Sequence, residues 1–307
     1  MKSLLNLQSG PRLPAAPRWR LGEFLVERCI AASGMLSILV VLAILTFLIK
    51  EAWPALAKEG LPRLLGGREW RPISAPAQFG MLPLILGSLL VTAGAALLAL
   101  PLGVACAVYL AEVARPTARE ILKPMVELLA AIPSVVIGFI GLLVLAPLVR
   151  AAFHLPTGLT ALTGSVMLAL MALPTVVSLA EDAVTAVPQE YRAGSLALGA
   201  TKWQTICRVT VPAARSGIIA ALMLGIGRAV GETMTVMMVT GNAAVIPHSI
   251  LQPVRTMTAT IAAEMGETVH YSPHYHALFM LGAVLFLLTF IVNIIADAAL
   301  RRGRLQQ

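Results

Sequence analysis

Charge is what this sequence lacks most: 12% of its 307 residues are Asp, Glu, Lys or Arg, against 58% that are hydrophobic. A water-soluble domain of this length could not cover its surface with so few charges, so lipid is the solvent for most of the chain. The formal charge of +8 comes from Lys and Arg lying between apolar runs, with no aromatic interleaving. That excludes a nucleic-acid interface. Cysteine is nearly absent. Cys29, Cys106 and Cys207 share neither C-x-x-C nor metal-ligand spacing, which argues against a disulfide framework or a metal site and leaves plain buried or cytosolic thiols. No lysine follows a glycine, so the Walker A pattern is missing and any ATP that drives the protein is hydrolysed by another subunit. H-E-x-x-H, G-x-S-x-G and paired intramembrane aspartates are missing too, against a membrane-embedded enzyme. No cofactor is expected in this chain.

What is present is apolar length. Six stretches reach the ~20 residues a helix needs to cross a bilayer: 29–49, 81–111, 125–149, 161–180, 213–241 and 277–299. The expected fold is an all-α integral membrane protein with six transmembrane helices. Pro101 is expected to kink span two, and Pro133 and Pro174 to interrupt spans three and four, which places the latter inside a bundle where neighbours satisfy the freed carbonyls. Gly87, Gly94, Gly138 and Gly141 offer small faces for packing. The first apolar run is too long for a cleaved signal peptide and reads as an anchor. Taking alternate connections as one side, fifteen Lys and Arg fall with the two termini and seven on the other side. The positive-inside rule then makes residues 1–28, 300–307 and the connection 181–215 cytoplasmic, and residues 50–80 periplasmic.

Span five carries Arg228 and Glu232, and a charge in mid-membrane rarely persists without a task. The two are four residues apart, which places both on one face of the helix, flanked by Gly227 and Gly231 at a spacing that admits a second helix. A helix beginning near Ala213 puts Arg228 about 22 Å along it. Arginine's planar fork suits an oxyanion. Three roles are open for Glu232: neutralising Arg228 when no substrate is bound, repelling a bound anion so that it leaves, or forming an ion pair that only fixes packing. Thr233, Thr235 and Asn242 are candidate donors. His270, His274 and His276, with Tyr271 and Tyr275, lie just outside span six and read as interface residues, not as a metal site. Met234, Met237 and Met238 read as packing residues.

Between spans four and five, Pro188 opens a helix to about Leu198, Gly199 stops it, and a second short helix runs from Thr201 to about Val209. Trp203 and Ile206 are expected to be exposed for a partner; an amphipathic helix lying on the membrane is the alternative. This stretch resembles the EAA loop of ABC-importer permeases, whose pattern is E-A-A, three residues, Gly, nine residues and Ile-x-Leu-Pro. Gly199 matches the glycine and Val211-Pro212 the Leu-Pro, whereas Ala193, Gly194 and Ser195 stand at E-A-A and Glu190 lies one turn earlier. The resemblance implies that Glu190, Arg192, Ala193, Gly194, Gly199, Ala200, Trp203 and Pro212 belong to a loop seated in an ATPase subunit.

Gly227-Arg-Ala-Val-Gly-Glu-Thr-Met, continuing to Gly241-Asn242, resembles the PstC-type permeases of phosphate importers, within the MetI-like permease family. The resemblance covers about 81–299, the permease core, and the R-A-x-G-E portion is shared with sulfate and molybdate permeases. It implies the transmembrane permease subunit of an ATP-driven phosphate importer in a bacterial inner membrane. Its partners would be a PstA-type permease, an ATPase dimer and a periplasmic phosphate-binding protein. Arg228, Glu232, Thr233 and Asn242 are then the pathway residues. A secondary transporter with Glu232 as its ion site is the competing reading, but the spans show no convincing internal repeat.

Overall fold

In the computed structural model, residues 20–304 are described; Lys2, Arg12 and Arg18 of the charge asymmetry lie outside them. The chain divides between Phe47 and Leu48 into two compact units. Helix α1, Arg20–Glu59, runs ten residues beyond the expected first span. In its first part the hydroxyls of Ser33, Ser37 and Thr46 donate to carbonyls four residues back, at 2.8, 3.0 and 2.7 Å. Polar side chains in an apolar helix are thereby satisfied without leaving it.

In the second unit, the segment after α1 is ordered as α2 (Leu61–Gly66) and a two-residue hairpin of β1 (Trp70–Arg71) and β2 (Gln78–Phe79), with Trp70 opposite Phe79. Then follow α3 (Leu82–Val108), ending in a π-helical turn over Tyr109–Val113, and α4 (Pro116–Ala131). Next come α5 (Ser134–Ile140), a second π turn at Gly141–Leu145, α6 (Ala146–Phe153) and α7 (Ala161–Thr185). Short helices α8 (Gln189–Ala197), α9 (Lys202–Thr205) and α10 (Val211–Ala213) lead into α11 (Arg215–Gly231) and α12 (Met234–Val239). The chain closes with α13 (Met257–Glu264) and α14 (Pro273–Arg304). Among the described residues, five helices are long and apolar enough to cross a membrane, or six if the bent pair Lys202–Ala213 and Arg215–Gly231 is one span.

Two expected spans change shape. The third does not begin at Met125. Ile132 and Pro133 are extended, so α4 stops before the proline and the span is Ser134–Phe153. A proline cannot donate to the helix and disfavours a helical residue before it. The fifth is bent by 69° near Ala214 and broken again at Glu232. The three cysteines are exposed on helix surfaces, not buried.

Helix α7 is the centre of the bundle, packed against α3, α4 and α11. Its Val176, fully buried, sits between two glycines. A Cβ added at Gly103 of α3 would lie 2.6 Å from Val176 Cγ1, and one at Gly225 of α11 would clash with Cγ2. Three backbones approach one another at that level because only hydrogen stands there, the usual route to close packing where lipid offers no hydrophobic drive. Ser165 of α7 adds an interhelical bond, Oγ to the Val91 carbonyl at 3.1 Å. A separate cluster of Leu64, Trp70, Phe79, Met81, Met257, Leu278 and Leu281 joins the hairpin to α13 and α14.

Candidate functional site

The chain leaves helical geometry at Glu232 (φ −69°, ψ 134°) and resumes it at Met234. Arg228 and Glu232 are therefore not an i, i+4 pair on one helix face, contrary to the sequence expectation, and no ion pair joins them among the described residues. Three contacts hold the break. Glu232 Oε1 accepts from the Thr235 amide at 3.1 Å, capping the start of α12. Its carbonyl accepts from Thr258 Oγ1 of α13 at 2.9 Å. Its amide closes onto the Ala229 carbonyl at 3.3 Å. Side chains from other elements thus satisfy backbone groups that a continuous helix would pair internally.

Arg228 lies in the last turn of α11, where a cation faces the negative end of the helix. It is exposed, and Nη1 donates to Thr175 Oγ1 of α7 at 3.0 Å. Thr175 follows Pro174, through which α7 runs unbroken, contrary to the expected interruption, so an intact helix meets the end of α11 here. A third joins them: buried Thr235 donates through Oγ1 to the Ser134 carbonyl at 3.0 Å, at the Pro133 break before α5. Among the described residues Gly227 and Gly231 face open space, so the expected close helix neighbour is not one of the described helices. The breaks at Glu232 and Pro133 thus meet beside the intact α7, and broken helices are how membrane proteins present backbone and side-chain donors to a polar solute.

The other two expected pathway residues bond to nearby backbone, and Asn242 remains exposed. Thr233 Oγ1 donates to the Gly231 carbonyl at 3.2 Å, and Asn242 Nδ2 to the Met237 carbonyl at 2.7 Å. Thr235 is engaged with Ser134 and with Met171 Sδ. Arg228 carries the one positive charge of this group, and its guanidinium has five N–H donors, of which the Thr175 contact uses one.

The connection after α7 forms the expected pair of helices. Pro188 precedes α8 and Glu190 stands in its first turn. Gly199 adopts φ +85°, the left-handed conformation that side chains resist. Thr201 and Gln204 make a reciprocal capping box at 3.2 and 2.9 Å. Ser195 and Thr205 hydroxyls, 3.0 Å apart, tie the two helices together. Trp203 is 66% exposed and Leu198, which sequence reasoning passed over, is 91% exposed. Ile206, expected to be exposed, is buried, because a π turn over Ile206–Thr210 rotates it inward. Ala193, Gly194 and Pro212 are exposed and Ala200 half-buried. Arg192 faces the bundle: Nε contacts Glu112 at 2.8 Å, Nη2 donates to the Val184 carbonyl at 2.8 Å, and Nη1 to that of Val187.

Two carboxylate centres were not foreseen. Glu181 of α7 is 1% exposed and receives Arg119 and Lys123 of α4, the latter at 2.6 Å. Glu264 receives Arg255 at 2.7 Å, His274 Nε2 at 2.8 Å and Trp70 Nε1 at 3.1 Å. The three histidines serve different partners: His274 this carboxylate, His276 the Glu51 carbonyl at 2.8 Å, and His270 the ring of Tyr275. The only sequence signal for Glu181 is an acidic residue at the edge of an apolar span.

A family model described as "Binding-protein-dependent transport system inner membrane component" matches residues 99–304. The probable ABC transporter permease protein YqgH of Bacillus subtilis is 39% identical over 275 residues, covering 88% of this chain and 87% of its own. The phosphate transport system permease protein PstC of Mesorhizobium japonicum is 34% identical over 304 residues, covering 93% and 92%. Among solved structures, an inward-facing MetNI methionine ABC transporter aligns with TM-score 0.58 at 18% identity, over 75% of this chain and 99% of that one. A bacterial alginate ABC transporter aligns at 0.62 and 15%, over 92% and 96%. These two likenesses concern the fold.

Proposed function

The chain belongs to the binding-protein-dependent transport system inner membrane component family, and from that premise we propose that it is the PstC-type permease subunit of an ATP-driven phosphate importer. It is a multi-pass inner-membrane transport subunit and not an enzyme; ATP is hydrolysed by a separate ATPase subunit. The observation that carries the phosphate reading is the exposed Arg228 guanidinium on a stretch of α11 whose Gly227 and Gly231 meet no described neighbour. An oxyanion leaving water needs desolvated positive charge in a fixed geometry, and Thr175 holds the fork in place. Glu232, occupied in capping α12, leaves Arg228 unneutralised and adds a nearby negative charge that keeps a bound dianion weakly held.

The bare Gly227–Gly231 face is completed by a second, PstA-type permease. The α8–α9 knob, with Trp203 and Leu198 outward, enters an ATPase pair, and a periplasmic phosphate-binding protein delivers the solute. Both termini and the knob are cytoplasmic in this reading, supported by fifteen basic residues against seven. In reconstituted complex, Arg228→Gln should assemble and lose phosphate uptake, while Arg228→Lys keeps part of it because charge survives and the fork does not. Full uptake by assembled Arg228→Gln removes Arg228 from the pathway. Preferential transport of sulfate or molybdate by the wild type would reassign the substrate among oxyanions.

A further inference from the structure

Two ionic ties that transport chemistry does not require lie between the α8–α9 knob and the helices around Arg228, the first joining the knob to α3 and α7 and the second joining α7 to α4. In the first, Arg192 of α8 caps the carbonyls of Val184 and Val187 at the end of α7 and pairs with Glu112 in the π turn that ends α3. A planar guanidinium bound to three acceptors from two helices has little freedom to swing, so α8 moves with α3 and α7. In the second, Glu181 joins α7 to α4 through Arg119 and Lys123, and Lys123 also reaches Asp182 at 3.2 Å. Burying a carboxylate is costly, and buried ion pairs contribute little net stability compared with apolar packing. Their place in the bundle suggests a different use. Helix α7 carries Thr175, the partner of Arg228. Helix α4 leads through Pro133 to Ser134, whose carbonyl holds Thr235 next to the Glu232 break.

We infer that Glu181 and Glu112 are positioning residues that transmit displacement of the knob along two branches, one through α7 to Arg228 and one through α4 to Glu232. Without the ties, the knob would move while the broken helices stayed behind, and ATP would be spent without transport. The inference rests on the reading of this chain as an ATP-driven permease.

The test uses the complete complex in proteoliposomes, this chain with its second permease, ATPase and binding protein, and reads ATP hydrolysed per phosphate moved. Glu112→Gln and Glu181→Gln should assemble and hydrolyse ATP while that ratio rises about tenfold, within the range of allosteric coupling energies; Glu181→Asp should restore much of the coupling. If Glu181→Gln leaves its two cations stranded and fails to assemble, the Arg119→Gln/Lys123→Gln/Glu181→Gln variant, with no buried charge unpaired, takes its place. A wild-type ratio in an assembled variant overturns the inference, and so does failure of the triple variant to assemble, since the groups would then serve folding. A wild-type complex that moves no phosphate overturns the functional reading instead.

Discussion

Arg228 Nη1 donates to Thr175 Oγ1 across 3.0 Å, bringing the last turn of α11 onto the residue that follows Pro174 in α7. A cation on a long flexible side chain is thereby given one orientation on an otherwise open face. Thr175→Val should leave assembly unchanged and lower phosphate uptake about three- to tenfold, mostly as a raised apparent KM, consistent with losing a hydrogen bond to a charged group that is partly solvated. Thr175→Ser should retain uptake. Uptake kinetics in reconstituted complex decide it, and a Thr175→Val protein indistinguishable from wild type would show that the contact is incidental.

Glu232 acts as a cap in this structure, which separates acceptor capacity from charge. Glu232→Gln keeps an oxygen for the Thr235 amide and should melt near the wild type, whereas Glu232→Ala should lose about 0.5–2 kcal/mol, the usual cost of a lost cap. Thermal unfolding in detergent checks this. If Gln abolishes transport while stability holds, the negative charge itself is needed, as an ion-coupled mechanism would require.

Val176 between Gly103 and Gly225 leaves no room for a methyl group at position 225. Gly225→Ala should destabilise the isolated chain by about 1–3 kcal/mol through overpacking, with Val176→Ala in the same chain recovering part of it. Gly227→Ala, two residues away and facing open space, should leave the isolated chain unchanged. Any effect of Gly227→Ala confined to the assembled complex would mark that face as the contact with the second permease.

Trp203 and Ile206 are three residues apart and should fail in opposite ways. Trp203→Ala should leave the chain's own stability intact and weaken ATPase capture, since 66% of the side chain is exposed. Ile206→Ala should cost about 2–5 kcal/mol of folding stability, as truncation of a buried aliphatic does. Co-purification with the ATPase and thermal melts of the chain alone separate the two.

The Glu181 hydrogen bond, against an opposing effect of burial, raises the Lys123 ammonium above the usual lysine pKa. A raised folded-state pKa means the contribution is complete below the unfolded value of about 10.4 and is lost as pH rises through the folded value. The Lys123 tie should therefore be constant through neutral pH. The stability difference between wild type and Lys123→Met should shrink in strongly alkaline buffer, as Lys123 loses its proton, and in acid, as Glu181 gains one.

Much of this molecule is written in local signals. Apolar length set the membrane spans, Pro188 and Gly199 bounded α8, and the Thr201–Gln204 spacing supplied the cap of α9; each depends only on neighbours within a few residues. The oxyanion-like stripe at Arg228 was legible because charge inside an apolar run is conspicuous. The break at Glu232 was not. Gly227 to Gly241 reads as a continuous apolar helix, and its interruption depends on Thr258 and Ser134, donor and acceptor partners 26 and 101 residues from the groups they meet. Glu181 could not be matched to Lys123 and Arg119, 58 and 62 residues away, nor Ile206 assigned to the interior, before the π turn and the bundle existed. Composition and short-range backbone preference thus determined that the chain crosses lipid as helices and where most of them start and stop. Tertiary structure decided where helices break and which charges meet, because those outcomes turn on hydrogen-bond competition between segments that only folding brings together.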